Sequence, residues 1–133
     1  MSAMESILQG AAETMLIVED EDILRKMLVR ILESIGYKVL QAPNGTEAIA
    51  VAQGYADRID LLLTDVEMPG MNGSELAKQL EPHNPEMKVL LMSGYTENGV
   101  SHHGVIPGGA SFIGKPFTPL SLARKIREIL DKA

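Results

Sequence analysis

Leu61-Leu62-Leu63-Thr64-Asp65 carries three consecutive leucines into a polar end, with no alternation of apolar and polar positions. A short run of this kind reads as a strand covered on both faces, as in a parallel sheet flanked by helices. We place this strand over residues 60–64, ending at Asp65. The same pattern recurs on either side. Upstream, Met15-Leu16-Ile17-Val18 stops abruptly at Glu19-Asp20-Glu21. Downstream, Val89-Leu90-Leu91-Met92 stops at Ser93, and a weaker run over 110–113 precedes Lys115. Residues 37–42 complete the set and end in Gln41 and Ala42, which makes them an edge strand.

Helical patterns fill the spaces between strands. Ile23, Leu24, Met27, Leu28, Ile31, Leu32 and Ile35 recur at the spacing of one helix face, and Gly36 follows as a stop. The methionines in such stripes read as core filler. Asn44 caps a second helix, with Glu47 at the capping-box position and Ala48, Ile49 and Ala52 on its buried side. Residues 73–80 form a short third helix, ended before Pro82 and Pro85. Thr118 caps the last helix, with Pro119 at its first position and Ile126, Ile129 and Leu130 as its stripe. Residues 94–109 hold five glycines and Pro107, so a regular fourth helix there is doubtful. Strands alternating with helices predict an α/β fold: a flavodoxin-like, doubly wound, five-stranded parallel sheet in the order 2-1-3-4-5, with helices on both faces.

Composition narrows the function. The 133 residues suit one domain, and 45% are hydrophobic, enough for a core that is aliphatic because only 4% are aromatic. The formal net charge of −6 argues against binding a nucleic-acid backbone. The absence of cysteine excludes disulfides and thiolate chemistry and suits the cytosol. No apolar run reaches membrane-spanning length. Residues 1–13 read as a linker, an upstream domain's tail or an expression remnant, and 14–132 as the domain.

In open parallel sheets, ligands bind at the carboxyl ends of the strands. Glu19 and Asp20 follow the first strand, Asp65 ends the third, Ser93 follows the fourth and Lys115 the fifth. Carboxylates gathered at one rim repel unless they take up protons or a cation. Hard oxygen ligands suit Mg²⁺, which keeps several waters and accepts one or two carboxylates plus a phosphate. A carboxylate is a competent nucleophile for phosphoryl transfer, which needs mainly positioning and charge neutralisation. Lys115 and Ser93 supply a cation and a hydrogen-bond donor for phosphoryl oxygens. His83, His102 and His103 read as solvated loop residues.

The segments Leu16-Ile17-Val18-Glu19-Asp20-Glu21, Leu63-Thr64-Asp65-Val66-Glu67-Met68-Pro69-Gly70, Leu91-Met92-Ser93-Gly94-Tyr95 and Lys115-Pro116-Phe117 together resemble the signature segments of response-regulator receiver domains. The run Ser93-Gly94-Tyr95-Thr96-Glu97 further resembles receivers at the C-termini of hybrid sensor histidine kinases. The resemblance implies a phosphoacceptor switch of a two-component system or phosphorelay, fed by a histidine kinase or phosphotransfer domain. Asp65 would be the phosphoacceptor. Glu19, Asp20, Asp65 and the backbone carbonyl of Glu67 would hold Mg²⁺, with Mn²⁺ as a substitute. Ser93 and Lys115 would bind the phosphoryl group, and the bond from Lys115 to Pro116 would be cis. Ser93 and Phe112 would act as the switch pair. Self-association through the fourth-helix to fifth-helix face and a cytoplasmic location, on a membrane-associated kinase if the chain is a fragment, also follow from the resemblance. So does the expectation that the isolated domain is no conventional enzyme, though it catalyses its own phosphorylation and dephosphorylation. Glu67 and Tyr95, each two residues beyond a site residue, are candidates for tuning the phosphate's lifetime. Pro69 and Gly73 read as architectural. The alternative is a pseudo-receiver that keeps the fold as a dimerisation or scaffold module without the chemistry. An aspartyl-phosphate phosphatase lacks its second Asp here, and acids stand where a flavodoxin would cradle phosphate.

Overall fold

Five short strands pair in parallel in the order β2-β1-β3-β4-β5 in the computed structural model, which describes residues 12–93 and 111–132. In chain order the elements are β1 (Thr14–Val18), α1 (Asp22–Ile35), β2 (Lys38–Ala42), α2 (Gly45–Gly54), β3 (Leu61–Asp65), α3 (Gly73–Leu80), a 3₁₀ turn (Glu81–His83), β4 (Lys88–Ser93), β5 (Ser111–Gly114) and α4 (Pro119–Asp131). This is the flavodoxin-like doubly wound order. The central strands β1 and β3 are buried along their whole length, as their unbroken apolar sequence requires.

Alternation along the strands divides the core in two. Met15, Ile17, Leu61, Leu63, Leu90 and Met92 point to one face and pack under α1 and α4. Leu16, Val18 and Leu62 point to the other and meet Ala48 of α2 and Leu76, Ala77 and Leu80 of α3. The helix ends follow local chemistry. Gly36 takes φ 117° to close α1, a left-handed conformation that a side chain would strain. Asn72 with Glu75, and Thr118 with Ser121, form reciprocal capping boxes on α3 and α4. At α2 the Asn44 side chain accepts from the Glu47 N–H, but the Glu47 carboxylate turns to the Asn44 amide rather than its backbone.

The stripe expected on α1 is narrower than its spacing implied. Leu28, Leu32 and Ile35 are buried, whereas Ile23 is 81% and Met27 49% exposed. At about 100° per residue, Leu24, Ile31, Leu32 and Ile35 all fall within about 60° of Leu28. Ile23 lies about 140° away, beyond the reach of the sheet, and Met27, about 100° away, is half exposed, so it is no core filler. Met15, Met68 and Met92 do pack in the core. The fourth-helix question, Tyr95, His102 and His103 fall outside the described residues. Among those described, no helix is long and apolar enough to cross a membrane.

Candidate functional site

Parallel pairing brings the carboxyl ends of β1, β3, β4 and β5 to one rim, and register decides which residues meet there. Val18 pairs with Thr64, Asp65 with Met92, and Ser93 with Gly114. Asp65 and Ser93 therefore stand on the last rungs, and Glu19 and Lys115 directly follow the last rungs of β1 and β5. Backbone bonds extend the ladder around them: Val66 N–H donates to Met92 O at 2.9 Å and Lys115 N–H to Ser93 O at 2.7 Å. The Lys115–Pro116 bond is cis. Gly73 N–H donates to Val66 O at 2.8 Å, drawing α3 against the end of β3. A Cβ on Gly73 would overlap the Asp65 carbonyl oxygen, so only glycine permits this approach.

The Lys115 ammonium lies 2.6 Å from Asp65 Oδ1 and donates to Glu19 Oε1 at 3.1 Å. Glu19 Oε2 accepts from the Glu21 N–H at 3.1 Å. Glu19 and Asp65 are 1% and 5% exposed, while Asp20 is open to solvent. Each of these three acids offers an oxygen within 4.8 Å of the others.

The electrostatics follow from that crowding. Burial pushes the Asp65 carboxyl up to about 7, its hydrogen bond with Glu19 adds to the shift, and Lys115 opposes it. Although Asp20 is exposed, partial desolvation of its carboxyl and the neighbouring Glu19 raise it. Glu19 is held low: burial acts against ionisation, but hydrogen bonds from Asp65, the Glu21 N–H and Lys115 prevail. Lys115 is raised, since its contacts with Asp65 and Glu19 outweigh burial. One ammonium thus faces three acids, and the excess negative charge is relieved by protons or by a hard cation. Three convergent carboxylates fit a divalent ion that prefers oxygen, such as Mg²⁺.

Residues 15–127 match the model of the response regulator receiver domain family. The chain belongs to that family. The receiver is 37% identical over 125 residues to the sensor kinase CckA of Brucella abortus (strain 2308), covering 94% of this chain and 13% of that protein. It is 33% identical to the response regulator receiver protein CpdR of the same organism, covering 89% of this chain and 97% of CpdR. The crystal structure of the receiver domain from the hybrid histidine kinase CckA superposes with a TM-score of 0.76 at 36% identity, over 89% of this chain and 99% of that one. The protein is thus a receiver domain of two-component signalling, and it spans a small part of the CckA kinase it resembles.

Within this receiver, the carboxylates of Glu19, Asp20 and Asp65 gather around the Lys115 ammonium. Ser93 is buried at the end of β4. Glu67 follows Asp65 into the loop with its side chain exposed. Phe112 is half-buried on β5. Ile113 beside it packs with the α1–α4 face, so alternation turns Phe112 to the opposite face. Tyr95 lies outside the described residues. Two features had no signal in the sequence. Arg25 on α1 donates to the Glu19 carbonyl at 2.9 Å. Arg127 on α4 binds Glu13 at 2.6 Å and Asp131 at 2.8 Å. The Arg127–Asp131 pair is one helical turn apart, but the bond to Glu13 depends on the completed fold.

Proposed function

We propose that this receiver takes a phosphoryl group onto Asp65 from the phosphohistidine of a histidine kinase or phosphotransfer domain, in a Mg²⁺-dependent reaction. The observation that carries the reading is a nearly buried carboxylate with a lysine ammonium at 2.6 Å and two further acids within 4.8 Å. A nucleophile, a fixed cation and a set of cation ligands share one rim.

Glu19, Asp20, Asp65 and the Glu67 carbonyl are the groups that would hold Mg²⁺, or Mn²⁺ in its place. Such an ion would supply charge neutralisation for the phosphoryl oxygens. The protein's own groups do the rest. The Asp65 carboxylate attacks phosphorus in line, and the bond from phosphorus to the donor imidazole breaks with its electron pair leaving to nitrogen. Lys115 exchanges its Asp65 oxygen for a phosphoryl oxygen, and Ser93 donates a hydrogen bond to another. An ionised Asp65 is needed for attack, and the Lys115 ammonium favours that form. Inward movement of Ser93 would open space for Phe112, shifting the balance between two conformers. Residues 14–132 constitute the switching domain in this reading, with 1–13 as a linker, an upstream domain's tail or an expression remnant. Likeness to the CckA receiver supports a place in a hybrid kinase, on its cytoplasmic side, and the reading frame upstream of Met1 tests that assignment.

Incubation with acetyl phosphate and Mg²⁺, followed by intact-protein mass spectrometry, tests the chemistry. The native chain should gain one phosphoryl group, and neither Asp65→Asn nor a sample in EDTA should. Phosphate stably bound to Asp65→Asn refutes the assignment. A native chain that stays unmodified in acetyl phosphate and with a phosphorylated donor supports the pseudo-receiver alternative.

A further inference from the structure

Arg25 lies on the first turn of α1, with 12% of its side chain exposed. Its guanidinium makes three hydrogen bonds to three parts of the fold. Nη1 donates to the Glu19 backbone carbonyl at 2.9 Å, Nη2 to Asp22 Oδ1 at 2.6 Å and Nε to Gln41 Oε1 at 3.1 Å. Its own N–H donates to Glu21 O at 2.9 Å. A rigid planar fork therefore ties the end of β1 to the start of α1 and to the edge strand β2.

The bond to the Glu19 carbonyl bears on Asp20. Glu19 O and the Asp20 N–H belong to one planar peptide unit, so fixing the oxygen fixes the plane from which the Asp20 side chain departs. Glu19 has other restraints: its N–H donates to Ala42 O at 3.2 Å, and its carboxylate accepts from Glu21 and Lys115. Asp20 is exposed, and its carboxyl is held only by a hydrogen bond shared with Glu19 and one with its own backbone. Its approach to Glu19 and Asp65 depends on the direction in which the backbone aims it.

We infer that Arg25 is a positioning residue for the divalent-cation site, orienting the Glu19–Asp20 peptide so that the Asp20 carboxylate joins those of Glu19 and Asp65. The inference rests on the Mg²⁺ reading above. It makes a prediction opposite in sign to the one from charge alone. Arg25 is a cation beside a cation site, so deleting its charge should strengthen Mg²⁺ binding if electrostatics were its only effect. If Arg25 aims a ligand, deletion weakens binding. Groups that orient metal ligands typically change affinity by about 10–100-fold when removed. Arg25→Lys separates the two effects, because it keeps the charge and loses the fork.

Mg²⁺ affinity is measured by isothermal titration calorimetry, at fixed ionic strength, on the native chain, Arg25→Ala and Arg25→Lys. Urea denaturation in EDTA reports any general loss of stability. We expect the Kd to rise about tenfold in both variants. A tighter Arg25→Ala, an Arg25→Lys with native affinity, or variants that lose stability in EDTA while keeping the native Kd overturn the inference. If either variant does not fold, Gln41→Ala, which removes only the exposed partner of Nε, takes its place. It should weaken binding about threefold, and an unchanged Kd overturns the inference. A native chain that does not bind Mg²⁺ overturns the metal reading beneath it, which is a distinct result.

Discussion

Replacing the phosphoacceptor by its amide, Asp65→Asn, should make the metal-free domain more stable at pH 8. Asp65 is raised from 3.8 to about 7 by burial and by Glu19. Between roughly pH 4 and 7 the native state keeps a proton that the unfolded chain has released, so native stability falls as pH rises through this window. The loss is complete above about pH 7. Three pKa units correspond to about 4 kcal/mol at most. The protons belong to a pair, however, and Glu19 is shifted the other way, which returns part of that amount. The amide also gives up the 2.6 Å ion pair with Lys115, whose ammonium keeps Glu19 as partner. A net gain of about 1–2 kcal/mol remains, or about 3–8 °C in Tm. Thermal and urea unfolding followed by far-ultraviolet circular dichroism, in EDTA at pH 5 and pH 8, measures it. The gap should shrink at pH 5, where the native carboxyl is protonated and resembles the amide. It should shrink again at pH 8 in saturating Mg²⁺, which binds the native site better and stabilises it by mass action. An Asp65→Asn protein no more stable than native at pH 8 in EDTA, or an advantage independent of pH, refutes the reasoning.

Three further outcomes are expected. Gly73→Ala should destabilise the fold by about 2 kcal/mol in urea titrations, because the new methyl group overlaps the Asp65 carbonyl; a neutral effect would mean that α3 can withdraw at no cost. The hydrogen bonds from Arg127 hold Glu13 below its usual range. That contribution is fully present above about pH 4.5 and is lost as pH falls through the lowered value. Arg127→Met should therefore lower stability at pH 7 by about 1 kcal/mol, given the partial exposure of the pair, and by less at pH 3, as read by urea unfolding at the two pH values. Tyr95→Ala should shorten the half-life of the acyl phosphate if Tyr95 covers the line of water attack, and an unchanged half-life in a dephosphorylation time course discards that role.

Much of this was legible in the chain. Leu61-Leu62-Leu63 and Leu16-Ile17-Val18 announce buried parallel strands because neither face of such a strand can afford a polar residue. Helix starts were readable at Asn44 and Thr118, since a cap is a contact between residues three apart. Exposure was harder to read. Ile23 and Met27 fit a helical period, yet which side of α1 meets the sheet depends on how the helix docks, and they lie on the flank that does not.

The order of residues alone determined the strand-helix alternation and the set of polar groups at the strand ends, because periodicity, capping and burial are local or nearly so. Tertiary structure decided what those groups do to one another. Only register brings Lys115 within 2.6 Å of Asp65, fifty residues earlier in the chain, and only the docking of α1 beside β2 lets Arg25 reach both the Glu19 carbonyl and Gln41. Charge interactions and hydrogen bonds act over a few ångströms, so their energies exist only after long loops have closed.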